Sequence, residues 1–270
     1  MRQLKIGRRG FSLFELLVVI AIIGILSGIT VIAVVGLQEK ARIARGQAFS
    51  ASIYHTLGNE LVGFWKFEEE ISDPTPWFTD SSTHGNDGFY NNYATCNPYA
   101  SGMDGCPERV EGMEGRALFF DQGTQETYGQ VTDNMSLDVE EAITIEFWVK
   151  RETSDAGGVV YKENSYMLGW LDEFNPNDLW FTLNFVSAGE VVIVAEIPEI
   201  GVWKHIAATW EEGKTMRLFV DGDLKVESAG TYNGDTIEVS SSNIDLGRKN
   251  GPQYLDGTID ELRIYNAAFQ

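Results

Sequence analysis

The 23 positions from Leu16 to Gln38 hold no charged residue, and this run constrains the chain more than any other feature. At about 1.5 Å per helical residue, roughly 20 residues span the hydrocarbon layer of a bilayer. A cleaved secretory leader is one reading, but its apolar region is ordinarily about 7–15 residues long and ends at a small-residue site. The run here is longer and no Ala-x-Ala stands at its end. A plain single-span anchor is a second reading, and Glu15 argues against it. An unpaired carboxylate in an apolar segment costs up to about 2.5–3.5 kcal/mol on insertion scales and marks a functional position. Arg2, Lys5, Arg8 and Arg9 precede the run, with no acid among residues 1–10. From Leu61 to Gln270 there are 13 Lys+Arg and 37 Asp+Glu, a net of −24. The basic end therefore stays cytoplasmic, and the acidic body lies on the far side of the cytoplasmic membrane in a single-pass topology. A body so acidic repels polyanions, so nucleic acid is not an expected partner.

The helical pattern continues beyond the apolar run. Leu37, Ala41, Ala44 and Ala48 recur at helical spacing, and Tyr54, Leu57 and Leu61 extend an apolar face. No proline occurs before Pro74, so nothing forces a break before about residue 62. The expectation is one long helix, part in lipid and part packed on an outer domain. The expected boundaries are 1–10, 11–62 and 63–270.

Gly10-Phe11-Ser12-Leu13-Phe14-Glu15, with four basic residues upstream, resembles the class III signal peptide of type IV pilins and pseudopilins. The resemblance implies cleavage by a prepilin peptidase between Gly10 and Phe11 and methylation of the new amino terminus at Phe11. It also implies that Glu15 pairs with the N-terminal amine of a neighbouring subunit during assembly. The implied partners are other pilin or pseudopilin subunits, the peptidase and the inner membrane, and the implied destination includes an extracellular filament.

After Leu61 the period changes to two. Ile143, Ile145, Phe147 and Val149 fall on one face of residues 142–150, and similar runs occur at 61–67, 116–121, 157–162, 166–171, 178–186, 190–197, 203–210, 215–220, 223–228, 243–247 and 258–265. Asp221-Gly222 between two such runs is a hairpin signal. The fold class expected is mainly β, a two-sheet jelly-roll sandwich preceded by one long N-terminal helix. The order of Leu61–Phe67, Asp80–Gly88, Arg116–Asp121, Ile143–Lys150, Trp203–Trp210, Leu218–Gly222 and Leu255–Asn266 resembles a laminin-G-like, concanavalin A-like jelly roll. Relatives of that kind include glycan-binding modules, adhesion domains and glycoside hydrolases, so the fold alone assigns no function.

Retaining glycosidases need two carboxylates about 5–5.5 Å apart, and residues i and i+2 of a strand share a face. No Glu here is followed two positions later by Asp, and no nucleophile elbow or phosphate loop occurs. The chain therefore reads as a non-enzyme, with a surface glycosidase as the remote alternative. His205 reads as a structural strand residue. The laminin-G resemblance implies a structural calcium ion, with Glu68 after the first strand, Asp260 in the last, and carbonyls of the 80–88 loop as ligands; a merely solvated acidic surface is the competing reading. Cys96 and Cys106 lie in an insertion at 91–115, outside the membrane, where a disulfide would close a short loop. Trp170, Trp180, Tyr93 and Tyr99 are the aromatics available to stack on sugars, against a reading as core residues. The expectation is a minor pilin or pseudopilin presenting a lectin-like head for adhesion or for binding glycans and surface glycoproteins. A structural pseudopilin of a secretion or uptake machine with a protein-binding head is the alternative.

Overall fold

The computed structural model describes residues 11–69, 77–90, 107–122, 127–170, 175–249, 251 and 253–270, with backbone alone for 28–35. Helix α1 runs from Leu13 to Leu57, and a 3-10 turn, Gly58–Glu60, joins it to the first strand. The chain divides into two compact units, one ending at Ala44 and one from Arg45 to Gln270.

In the first unit Ser12 and Glu15 close the start of α1 reciprocally. The Glu15 amide donates to Ser12 Oγ at 3.2 Å, while the Glu15 carboxylate accepts from the Ser12 amide at 2.8 Å and its hydroxyl at 2.9 Å. This is a capping box, and it satisfies donors that a helix start otherwise leaves open. Arg42 pairs with Glu39 one turn back at 2.5 Å.

The second unit is a sandwich. Its strands are β1 (Leu61–Trp65), β2 (Trp77–Phe78), β3 (Gly88–Tyr90), β4 (Glu108–Glu111), β5 (Arg116–Phe120) and β6 (Gly129–Val131). They continue with β7 (Ala142–Arg151), β8 (Gly157–Lys162), β9 (Tyr166–Trp170), β10 (Asp178–Phe185), β11 (Gly189–Glu196) and β12 (Lys204–Glu211). The last are β13 (Arg217–Val220), β14 (Asp223–Glu227), β15 (Ile244–Leu246), β16 (Arg248–Lys249), β17 (Gln253–Tyr254) and β18 (Gly257–Tyr265). One sheet has the order β14-β13-β12-β7-β18-β5-β4, with β1 also on β18; the second runs β11-β10-β9-β8-β15-β6-β3-β2. Every pairing is antiparallel, as a jelly roll requires.

The alternation decides which side chains meet. Ile143, Ile145, Phe147 and Val149 of β7 enter the core with Leu179, Phe181, Leu183 and Phe185 of β10 from the opposite sheet. The complementary positions Thr144, Glu146 and Trp148 then point away from the core, yet all three are buried. The end of α1 covers them. Ile53 and Leu57 form a second apolar cluster with Leu61, Phe64, Ala207 and Tyr265, and Phe49 and Phe269 pack against it. The tail returns over the same face, where the Phe269 amide donates to the hydroxyls of Thr144 and Thr209 at 3.0 and 3.1 Å.

The buried side of the helix corrects the expected stripe. Gly46, Ser50, Ile53 and Leu57 are buried, whereas Ala41, Ala44 and Ala48 are exposed and Tyr54 is 50% exposed. Close approach selects the small residue: a Cβ at Gly46 would stand 2.7 Å from the Trp148 ring. Ser50 is drawn inward by a polar partner, since Arg263 donates to its hydroxyl at 2.9 Å.

Strand β18 changes partner halfway. Gly257–Ile259 pair with β5, while Leu262–Tyr265 pair with β1 on the same side. The register against β7 slips between Asp260 and Arg263, and Glu261 there adopts φ 51°, in the left-handed region that non-glycine residues avoid. A bulge of this kind re-aims side chains, and here it turns two adjacent carboxylates to different surroundings.

Candidate functional site

At the amino-terminal end, Phe11 is 80% exposed, and Leu13, Phe14, Leu16 and Leu17 are exposed along the first turns of α1. Glu15 lies among them, its carboxylate held by Ser12. Gly10 lies outside the described residues, as do Cys96, Cys106, Tyr93 and Tyr99. Among the described residues no helix is long and apolar enough to cross a membrane; the uncharged run includes positions 28–35, whose side chains are not among them.

Beneath the helix end lies a buried polar network that the sequence pattern did not single out. Glu146 is fully buried and accepts from Tyr265 Oη at 2.6 Å and from Arg263 Nη1 at 3.4 Å, and its other oxygen is 2.9 Å from His205 Nε2. Burial pushes the Glu146 carboxyl up, but the hydrogen bonds and charges of His205, Arg263 and Tyr265 outweigh it and hold the group below its usual range. Burial and the Glu146 charge push the Tyr265 hydroxyl far up, so it stays a donor. His205 packs between Phe49 and Trp148, with ring centroids at 5.9 and 5.1 Å. With Glu146 and His205 both sealed from solvent, this pair holds structure together and reaches no substrate.

Glu68 and Asp260 each bond to the stretch between β4 and β5, residues 112–116. The amides of Met113 and Glu114 donate to Asp260 Oδ2 at 2.7 and 3.1 Å, and the Arg116 amide donates to Glu68 Oε1 at 3.2 Å. Glycine is needed on both sides of that turn, because a Cβ at Gly112 would lie 2.5 Å from Asp260 and one at Gly115 2.2 Å from Glu68. Asp260 Oδ1 is buried without a hydrogen-bond partner. Burial pushes the Asp260 carboxyl up to about 7 against the pull of these amides. An orphaned buried oxygen on a carboxylate short of counter-charge fits a hard cation in donor chemistry. Among the described residues, however, no group of three His, Cys, Asp or Glu side chains gathers in a metal-holding arrangement. Any further ligands would be backbone carbonyls and water. In the 80–88 loop the Asp80 side chain accepts from the amides of Phe64, Ser82 and Asn86, and the Asn86 carbonyl accepts from Trp65 Nε1 at 2.8 Å.

The outward face of the second sheet carries the side chains that alternate with Leu179, Phe181 and Leu183 of β10. Trp180 lies on it, half-buried, paired across the strands with Gly169 and Val194. Trp170 is a core residue, 1% exposed, with the Arg151 guanidinium 4.5 Å from its ring. Of these two tryptophans Trp170 is sealed in the core and Trp180 is partly exposed.

Residues 6–31 match the prokaryotic N-terminal methylation motif, and residues 122–270 match the concanavalin A-like lectin/glucanases superfamily. No curated protein matches the chain. Among solved structures, the binding domain of Paraclostridial Mosquitocidal Protein 1 superposes with a TM-score of 0.58 at 15% identity, over 78% of this chain and 50% of that one. Domain 4 of AbnA, a GH43 extracellular arabinanase from Geobacillus stearothermophilus solved with arabinotriose, gives 0.55 at 19% identity, over 78% of this chain and 94% of that one. The binding domain of botulinum neurotoxin DC, solved with rat synaptotagmin II, gives 0.58 at 15% identity, over 79% and 50%. The chain thus spans about half the length of the toxin domains it matches, and at these identities the likeness establishes the fold alone. The strand order, the two-sheet core and the family match agree: the chain belongs to the concanavalin A-like lectin/glucanases superfamily, and it carries an N-terminal methylation motif of the type IV pilin kind.

Proposed function

We propose that the protein is a minor pilin or pseudopilin that crosses the cytoplasmic membrane once, is cut after Gly10, and presents a non-catalytic lectin-like head for binding glycans or surface glycoproteins. The observation that carries this reading is the union, in one chain, of a methylation motif with a concanavalin A-like sandwich. The exposed apolar start of α1 supports insertion into lipid and packing against sister subunits. The toxin domains are binding domains by name and the arabinanase domain was solved in complex with arabinotriose, which supports a binding role for this fold. Affinity-gel electrophoresis of the full-length protein against neutral polysaccharides should show retardation without release of reducing sugar. Release of reducing sugar would make it an enzyme. No retardation on any polysaccharide would favour the protein-binding head of a secretion or uptake machine.

Calcium belongs to this reading as a structural ion held by Glu68 and Asp260 beside the 112–116 turn. When bound, the ion would neutralise the two carboxylates and brace the turn against β18. Adding calcium to chelator-treated protein should raise the melting temperature, because an ion bound only by the folded state stabilises it by mass action. At free calcium of about 100 times Kd the gain is about 2.7 kcal/mol. Asp260→Asn should abolish the response; an unchanged melting temperature in the parent protein would remove the ion.

A further inference from the structure

Between the end of α1 and β18 lies a cleft of about 210 Å³, lined by Gln47, Ser50 and Tyr54 from the helix, Glu114 from the turn after β4, and Glu261 and Arg263 from β18. Its volume falls below the roughly 300–1,000 Å³ of drug-sized ligand pockets, so it admits one small polar ring rather than an extended chain. Its walls suit such a ring. Tyr54 is half exposed and offers a flat apolar face, while Trp148 closes the floor. The Glu114 carboxylate has no hydrogen bond or ion pair among the described contacts, and it is exposed at the rim. Arg263 is mostly buried and its Nη atoms are committed to Ser50, Glu146 and Glu261, but its Nε is buried and unpartnered. Glu261 is placed beside it by the left-handed bulge. Strained backbone of this sort persists where surrounding structure demands it, commonly at ligand clamps.

A charged acceptor and an aromatic side chain converge on one small open space. We propose that this cleft is a subsite for a single residue of a neutral polysaccharide, with Glu114 accepting from two ring hydroxyls and Tyr54 packing on the sugar's C–H face. The inference rests on the glycan-binding reading above and locates it at the seam of helix and head, away from Trp180. A ligand there touches both α1 and β18, so occupancy also fastens the helix end to the sandwich.

The test uses full-length protein in a detergent lacking a sugar headgroup. Saturation-transfer NMR is recorded with the methyl glycosides of glucose, galactose, N-acetylglucosamine and arabinose, and retention is measured on polysaccharides of the same sugars. At least one glycoside should bind, and Glu114→Gln and Tyr54→Leu should each weaken it about tenfold, the first by losing a charged hydrogen bond and the second by losing aromatic packing, with melting temperatures unchanged. Trp180→Ala should leave binding intact. Binding that survives both cleft variants and is lost with Trp180→Ala overturns the cleft and keeps the glycan reading, with its site on the second sheet. Failure of the parent protein to bind any glycoside or polysaccharide overturns both.

Discussion

Glu146→Ala is expected to destabilise the sandwich by about 3–5 kcal/mol, the range for removing one partner of a buried charged network. The loss is large because the partners remain. Arg263 and Tyr265 would keep a buried guanidinium and a buried hydroxyl turned toward an empty space, with His205 beside them. Urea unfolding should show a lower midpoint at an unchanged slope. The same carboxylate predicts the acid limb of stability. Its folded pKa is held below the 4.5 of the free group. Its contribution is therefore complete above that value and is lost as the pH falls toward and through the lowered one. The parent protein should lose stability below about pH 4.5 more steeply than Glu146→Ala. Parallel acid limbs for the two proteins would show that Glu146 is not the group titrating.

Glu15→Ala is expected to leave membrane insertion unchanged and to reduce filament-associated protein by about tenfold or more, the consequence of losing even 1.4 kcal/mol of subunit pairing. Within one chain the carboxylate binds Ser12, and in lipid a lone acid is costly unless an amine meets it. Sheared-filament immunoblots against total membrane protein measure the ratio. Normal incorporation of the variant would remove Glu15 from assembly.

Much of the sandwich was legible because its long strands carry the period-two signal in their own residues. The alternation of Ile143, Ile145, Phe147 and Val149 names the core face of β7, and the structure places all four there. Strands β2, β3, β4, β6, β16 and β17 escaped notice because two to four residues seldom establish a period. The buried network escaped for a different reason. Alternation alone assigns Thr144, Glu146 and Trp148 to a solvent face, and only the helix end makes that face interior. The helix stripe held at Leu57 and Leu61 but was misplaced at Ala41, Ala44 and Ala48 for the same reason. Gly46 and Ser50 face the sheet through close approach and a hydrogen bond to Arg263, and neither effect registers as hydrophobicity. The bonds of Glu68 and Asp260 to the stretch 112–116 were not legible, because Met113 and Asp260 lie 147 positions apart and no local pattern encodes such a meeting.

The compact unit that begins at Arg45 bears on how such a chain can be assembled from parts. A head cut at the helix–strand junction would leave behind Phe49, Ser50, Ile53 and Leu57, and would open to water the face that buries Glu146. The seam for exchanging one head for another thus lies within a continuous helix, at Ala44–Arg45. A transplanted head must carry its own length of stalk, and the receiving stem need only match helix to helix.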